Sequence, residues 1–182
     1  MSPQPTIFLG GSRSITRLHP AIIDRMSRIV AGGYRILIGD ADGIDSALQR
    51  FLAETGYRDV TIFCSGERPR NYHGPWTIHR IHAPFCAHGY EFHAVKDRAM
   101  SDAADLGFMI WDGASPGSAL NALRLTGQGK PVFIFDSPAG TTIRLETVCD
   151  WTTYIGRHPA RIRASLRTRA TPAEWAMIHA DF

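Results

Sequence analysis

Apolar and polar positions alternate between two regimes along this chain. Short continuous apolar runs at 6–10 (Thr-Ile-Phe-Leu-Gly), 35–39, 59–64, 106–111 (Leu-Gly-Phe-Met-Ile-Trp) and 131–135 read as buried strands. Between them, apolar residues recur at helical spacing. From Pro20 to about Ala31 the stripe is Ile22, Ile23, Met26, Ile29 and Val30, and Gly32-Gly33 closes it. Residues 45–55 give a second helix stopped by Gly56, 91–104 a third, and 117–127 a fourth ended by Gly129. Strands separated by helical stretches of this length predict parallel βαβ units with right-handed crossovers.

The pattern breaks twice. From Glu67 to about Tyr90 the chain is rich in Arg, His, Pro and aromatics without periodicity, and a short strand near 77–82 could be hidden inside it. Residues 141–155 fit strand or helix. Thr171-Pro172-Ala173-Glu174 then starts a last helix, with an N-cap Thr, Pro at the first helical position and Glu three residues on. That helix is expected to bury Trp175 and Ile178. The reading is one α/β domain over 1–136, a mostly parallel five-stranded sheet with an irregular insertion at 67–90. A C-terminal helical extension, 137–182, packs on the same domain and is expected to help form a dimer.

Composition narrows the class. A chain of 182 residues suits one well-buried domain. No apolar run approaches bilayer length, and the first strand-like run starts too early for a signal peptide. Cys64, Cys86 and Cys149 are few and widely spaced, which fits reduced thiols and a cytoplasmic setting better than a disulfide framework. Net charge is only +3, but Arg157, Arg161, Arg163, Arg167 and Arg169 crowd one segment. Such a run reads first as a solvated helix face or subunit contact; nucleic-acid binding ranks behind it. His73, His79, His82, Cys86, His88 and His93 lack the paired spacings of a metal site and read as loop histidines. No cofactor is called for.

The candidate chemistry lies where strands end. Five strands in the order 2-1-3-4-5 or 3-2-1-4-5 place a ligand outside their carboxyl ends, where the winding reverses. In the second order three glycine-rich turns converge: Gly10-Gly11-Ser12-Arg13, Gly39-Asp40-Ala41-Asp42-Gly43, and Asp112-Gly113-Ala114-Ser115-Pro116-Gly117-Ser118. Small residues let a phosphate approach backbone N–H groups and a helix N-terminus, and Arg13 adds a charge-assisted contact. Asp40, Asp42 and Asp45 suit capping the following helix or hydrogen-bonding a sugar or base. Arg70, Tyr72 and Trp76 are candidates for a lid, although Trp76 equally suits plugging the domain edge.

Together with Lys96-Asp97 and Ala104-Asp105, these turns in this order resemble the SLOG superfamily over about residues 6–136. Those Rossmann-like proteins include Lonely-Guy phosphoribohydrolases, DprA-like proteins and, more distantly, nucleoside deoxyribosyltransferases and nucleotide N-glycosidases. The resemblance implies a nucleotide or ADP-ribose-like ligand, with phosphate near Ser115, Gly117 and Ser118 and contacts from Ser12, Arg13, Gly39 and Asp42. N-glycosidic cleavage needs a carboxylate beside the anomeric carbon. The position where the glycosidase relatives carry Glu is Asn121 here, which cannot serve as a base. Asp112 and Asp45 are therefore the candidate catalytic carboxylates, with Glu91 and Asp97 behind them. A metal-independent N-glycoside hydrolase and a non-catalytic nucleotide sensor stay level at this point.

Overall fold

The computed structural model describes residues 4–178. Strand β1 (Thr6–Gly11) leads through helix α1 (Pro20–Ala31) to β2 (Arg35–Gly39). Helix α2 (Ile44–Glu54) leads to β3 (Val60–Cys64), and β4 (Thr77–Arg80) lies inside the segment that lacks periodicity. Helix α3 (Gly89–Ala103) precedes β5 (Leu106–Trp111), and α4 (Pro116–Gly127) precedes β6 (Val132–Asp136). The chain then adds β7 (Thr141–Leu145), α5 (Val148–Gly156), α6 (Ala160–Arg167) and α7 (Pro172–Ala176).

All seven strands form one sheet in the order β4-β3-β2-β1-β5-β6-β7. Every pairing is parallel except β6 with β7. The five strands expected from apolar runs keep the order 3-2-1-4-5. The expected count of five is corrected to seven, because a strand was added at each edge. Edge strands need not be apolar on both faces: β4 (Thr-Ile-His-Arg) and β7 (Thr-Thr-Ile-Arg-Leu) are largely exposed and carry no continuous apolar run. The ambiguous stretch 141–155 divides into β7 and α5.

Two apolar layers flank the sheet. One joins Ile22, Met26 and Ile29 of α1 and Leu48 and Leu52 of α2 to inward residues of β1–β3. The other joins α3 and α4 to Trp151 and Ile155 of α5, Ile162 and Leu166 of α6, and Ile178. Trp151 is fully buried and donates its indole N–H to the Ala119 carbonyl at 2.8 Å, satisfying the one polar atom that burial strands. Thr171 and Glu174 form the reciprocal capping box read from the sequence. Ile178 is buried and Trp175 half-buried, with Arg167 over its ring at 5.8 Å. Among the described residues no helix is long and apolar enough to cross a membrane.

Candidate functional site

The winding reverses between β1 and β5, and a cavity of about 440 Å³ opens at their carboxyl ends. Its walls are Gly10, Gly11, Ser12 and Arg13 after β1, Ala41 and Asp45 after β2, and Ser115 to Ser118 with Asn121 at the start of α4. Helix α3 adds Tyr90, His93, Lys96, Asp97 and Met100; Arg70 and Arg169 complete it. Ser12 stitches these turns together. Its N–H donates to the Ile110 carbonyl at 2.9 Å, its hydroxyl oxygen accepts the Asp112 N–H at 3.0 Å, and its carbonyl accepts the Ile44 N–H at 3.3 Å. Gly43 packs directly on the Arg13 backbone at φ +77°, where a side chain would find neither space nor an allowed conformation.

Helix α4 begins without a side-chain cap. Ser115 occupies the N-cap, but its hydroxyl donates to Asp112 at 2.9 Å instead. The first-turn amides of Gly117 and Ser118 are thus left at the cavity wall, the positive end of a twelve-residue helix. Two buried donors join them. Ser118 is 5 % exposed and its hydroxyl has no partner among the described residues. Asn121 is 6 % exposed, and its carboxamide is oriented by Arg124, which donates to Oδ1 at 2.6 Å. That bond fixes the Nδ2 amino group as the free end, again without a protein acceptor among the described residues.

One side of the cavity is a largely buried charge cluster of three carboxylates and two cations, of which all but Asp40 line it. Asp40 is claimed by Arg70, which donates from Nη2 at 2.7 Å, from Nε at 3.1 Å and from its backbone N–H at 3.0 Å. Burial pushes the Asp40 carboxyl up, but Arg70 and Lys96 outweigh it and leave it below the usual range. Lys96 Nζ donates to Asp97 at 2.7 Å and lies 3.9 Å from Asp40; these carboxylates keep it charged against the pull of burial. Asp45 is the surplus acid. The Ala41 N–H at 3.2 Å is its one hydrogen-bond donor, and burial, opposed by Lys96 and reinforced by Asp97, raises its carboxyl to about 7. Gly39 has no room for a Cβ because Asp45 and Lys96 lie against it. His93 is held below its usual value by burial and by Arg70 and Lys96.

The structure divides the sequence-derived site residues into those that line the cavity and those that support its wall. Gly11, Ser12, Arg13, Ala41, Asp45, Ser115, Gly117, Ser118, Asn121 and Arg70 line it. Gly39, Asp40, Asp42 and Gly43 do not: Asp40 is spent on Arg70, and Asp42 accepts from Asn71 at 3.0 Å. None of the three aspartates caps α2, whose N-cap is Gly43 without a side-chain bond. Asp112 and Gly113 line a separate open groove with Asp136, His158 and Arg161. Asp112 accepts from Ser14, Ala114 and both the N–H and hydroxyl of Ser115, and these bonds overcome burial to hold its carboxyl down at about 2.

Of the lid candidates, only Arg70 reaches the cavity. Trp76 is buried at the sheet edge, donating to the Tyr57 carbonyl at 2.8 Å, and exposed Tyr72 donates to the Trp76 carbonyl at 2.7 Å. Glu91 is turned away, paired with Arg98. Among the histidines, His73 docks on Ser46 at 2.8 Å, His79 stacks on Phe63, and His93 lines the cavity. Tyr90, His93 and Arg169 were not among the sequence-derived site residues. A usable signal lay in α3, where His93, Lys96, Asp97 and Met100 share one face at spacings of three and four. Arg169 gave none, because it lies in a run that reads as a solvated surface.

No family model matches the chain, and no curated protein matches it either. Among solved structures it is similar to DNA processing protein A from Helicobacter pylori, described for its single-stranded DNA binding mode. The two share 16% identity with a TM-score of 0.51, and the match covers 92% of this chain and 83% of that chain. At that identity the likeness establishes a shared Rossmann-like α/β fold with a mostly parallel sheet.

Proposed function

We propose that this is a nucleotide-binding protein of the SLOG type, holding a phosphate of its ligand at the N-terminus of α4. The observation that carries this reading is the set of donors left without acceptors around one cavity. Ser118 and Asn121 are residues more than nine-tenths buried whose Oγ and Nδ2 reach the cavity without a protein acceptor among the described residues, and they flank uncapped helix amides in a wall that also holds Arg13 and Arg169. Several unpartnered donors converging on one cavity beside a helix N-terminus fit an anion that completes them. A volume of about 440 Å³ suits a mononucleotide-sized ligand.

The same phosphate chemistry is available from a free nucleotide or from single-stranded nucleic acid, the ligand named for the structural neighbour. Calorimetric titration with AMP, ADP-ribose and a short oligodeoxynucleotide with and without a 5′-phosphate separates them. The expected result is saturable binding of a mononucleotide with a dissociation constant below about 100 µM. Tighter, steeply salt-dependent binding of the oligonucleotide instead identifies a nucleic-acid ligand. No binding of any of them refutes the reading.

A second reading, hydrolysis of an N-glycosidic bond, is favoured by one feature. Asp45 is a cavity carboxylate whose value near 7 suits a group that gives or takes a proton at neutral pH. Asp112 is poorly placed for that part, being outside the cavity and saturated with donors. Base release from nucleoside monophosphates, lost in Asp45→Asn, supports this reading; tight binding without base release leaves the protein a binder.

A further inference from the structure

The C-terminal segment reaches into the cavity, and its construction is specific. No acidic residue occurs between Asp150 and Glu174, and five arginines do. Among the described residues only one of those five, Arg169, lines the cavity. Arg163 has a partner in the Gly156 carbonyl, Arg167 covers the Trp175 ring, and Arg161 borders the separate groove. Arg169 is half-buried with its guanidinium 5.2 Å from the Tyr90 ring centroid, and no carboxylate lies within ion-pair distance of it among the described residues. Tyr90 in turn lies beside Gly117, at the first turn of α4. The guanidinium therefore stands one aromatic ring away from the helix N-terminus, in a cavity that Arg13 also lines.

The backbone that carries Arg169 is fastened on both sides. The N–H groups of Arg169 and Ala170 donate to the Leu166 carbonyl at 3.0 and 2.8 Å, and Leu166 is fully buried. The Thr171 N–H donates to Glu174 at 2.8 Å. Glu174 is itself an anchor, accepting from Arg124 of α4 at 2.6 Å and from Arg98 of α3 at 3.1 Å. Arg124 passes the constraint on: one arm orients Asn121, and another lies 3.4 Å from the Tyr90 hydroxyl. One segment thus supplies a cation to the cavity and sets the geometry of two other lining residues.

Resting on the nucleotide-binding reading above, we propose that residues 157–178 form an integral clamp of the site, in which Arg169 holds a second anionic group of a ligand of the nucleoside diphosphate class. Arg169 is the ligand-contacting residue. Glu174 is a positioning residue acting through Arg124. Because the ligand bridges α4 and the clamp, binding and clamp docking are coupled, and each strengthens the other.

The test compares inorganic phosphate and ADP, each titrated into the full chain, into Arg169→Ala and into Ser118→Ala, with amide hydrogen exchange followed over 157–178. In the wild type, ADP is expected to slow exchange across the clamp at least several-fold more than phosphate does. Arg169→Ala should lose roughly tenfold or more in ADP affinity, keep phosphate affinity within about threefold, and lose the ADP-induced protection. Its melting temperature should stay within about 2 °C of the wild type, since a half-buried arginine at a cavity wall without an ion pair contributes little to stability. Ser118→Ala should lose affinity for both ligands. Unchanged ADP affinity in Arg169→Ala, or ADP binding without added clamp protection, overturns the clamp while leaving the phosphate site standing. Failure of the wild type to bind either ligand overturns both.

Discussion

The cavity over β1 and β5 and the groove over β5 and β6 are neighbours at the same rim, built from similar turns with similar residues. Each has small glycine-rich turns, aspartates and arginine. They differ in hydrogen-bond valence. In the groove, Asp112 accepts four bonds, and Asp136 accepts from Tyr154 at 2.7 Å and from Ala139 at 3.2 Å. In the cavity, Ser118 and Asn121 present donors without a protein acceptor among the described residues, and Asp45 forms no salt bridge of its own although Lys96 lies nearby. Residue type does not separate a binding site from a well-made turn, and neither does a single unmet hydroxyl, since Ser137 beside the groove has one sealed in the interior; several unpartnered donors facing one open cavity do.

The strongest way to break this comparison is to remove Glu174. Glu174→Ala leaves the buried Arg124 guanidinium uncompensated, and the expected cost is about 3–5 kcal/mol, read as a fall in melting temperature of about 10 °C. Ligand affinity should fall with it through Asn121, while the groove stays intact. A stability loss below about 1 kcal/mol contradicts the anchoring role.

Next comes the surplus acid. Asp45 titrates near 7 folded and near 3.8 unfolded, so the folded state binds the extra proton between those values. Its contribution is therefore fully present below about pH 4, is lost as pH rises through 7, and is flat beyond. Asp45→Asn should raise stability at pH 8 by an amount on the order of a few kcal/mol and flatten the fall between about pH 4 and 7. Glu174 runs the other way. Despite burial, Arg124 holds it down at about 2, so its stabilisation is present above about 4.5 and disappears as pH falls toward 2. Melting curves against pH for the wild type and Asp45→Asn separate the two; identical curves between about pH 4 and 7 would show that Asp45 carries no such proton.

A smaller effect sharpens the valence argument. Ser118→Ala should weaken phosphate-containing ligands about tenfold to a hundredfold, the loss of one hydrogen bond to a charged group, and move stability by less than about 0.5 kcal/mol. Asn121→Asp, placing a carboxylate where the free amino group stands, should weaken binding further than Asn121→Ala. Least affected in binding is the groove variant Asp112→Asn. It removes acceptor capacity from a partly exposed turn at a cost of about 1 kcal/mol in stability and should leave affinity within about threefold. A larger affinity loss there than in Ser118→Ala would reverse the assignment of the two regions.

Local sequence was enough to determine the central βα units. Continuous apolar runs specify strands covered on both faces, striped runs specify the helices over them, and the glycine turns mark their joints. The convergence of the turns at one rim followed from the strand order. The Thr171-to-Glu174 helix start was legible for the same reason: a capping box is a contact between residues three apart. The edge strands were not legible, because β4 and β7 have one neighbour each and little apolar demand. Nor could the sequence choose among Asp40, Asp45 and Asp112, which share turn chemistry but end with different partners. That choice belonged to Lys96, Arg70 and Ser14, brought in from other elements, and the cavity's last wall to Arg169, distant in the chain. Local pattern encodes which faces must be buried; only the packed fold decides which polar groups are left without a partner, because satisfaction is a property of long-range neighbours.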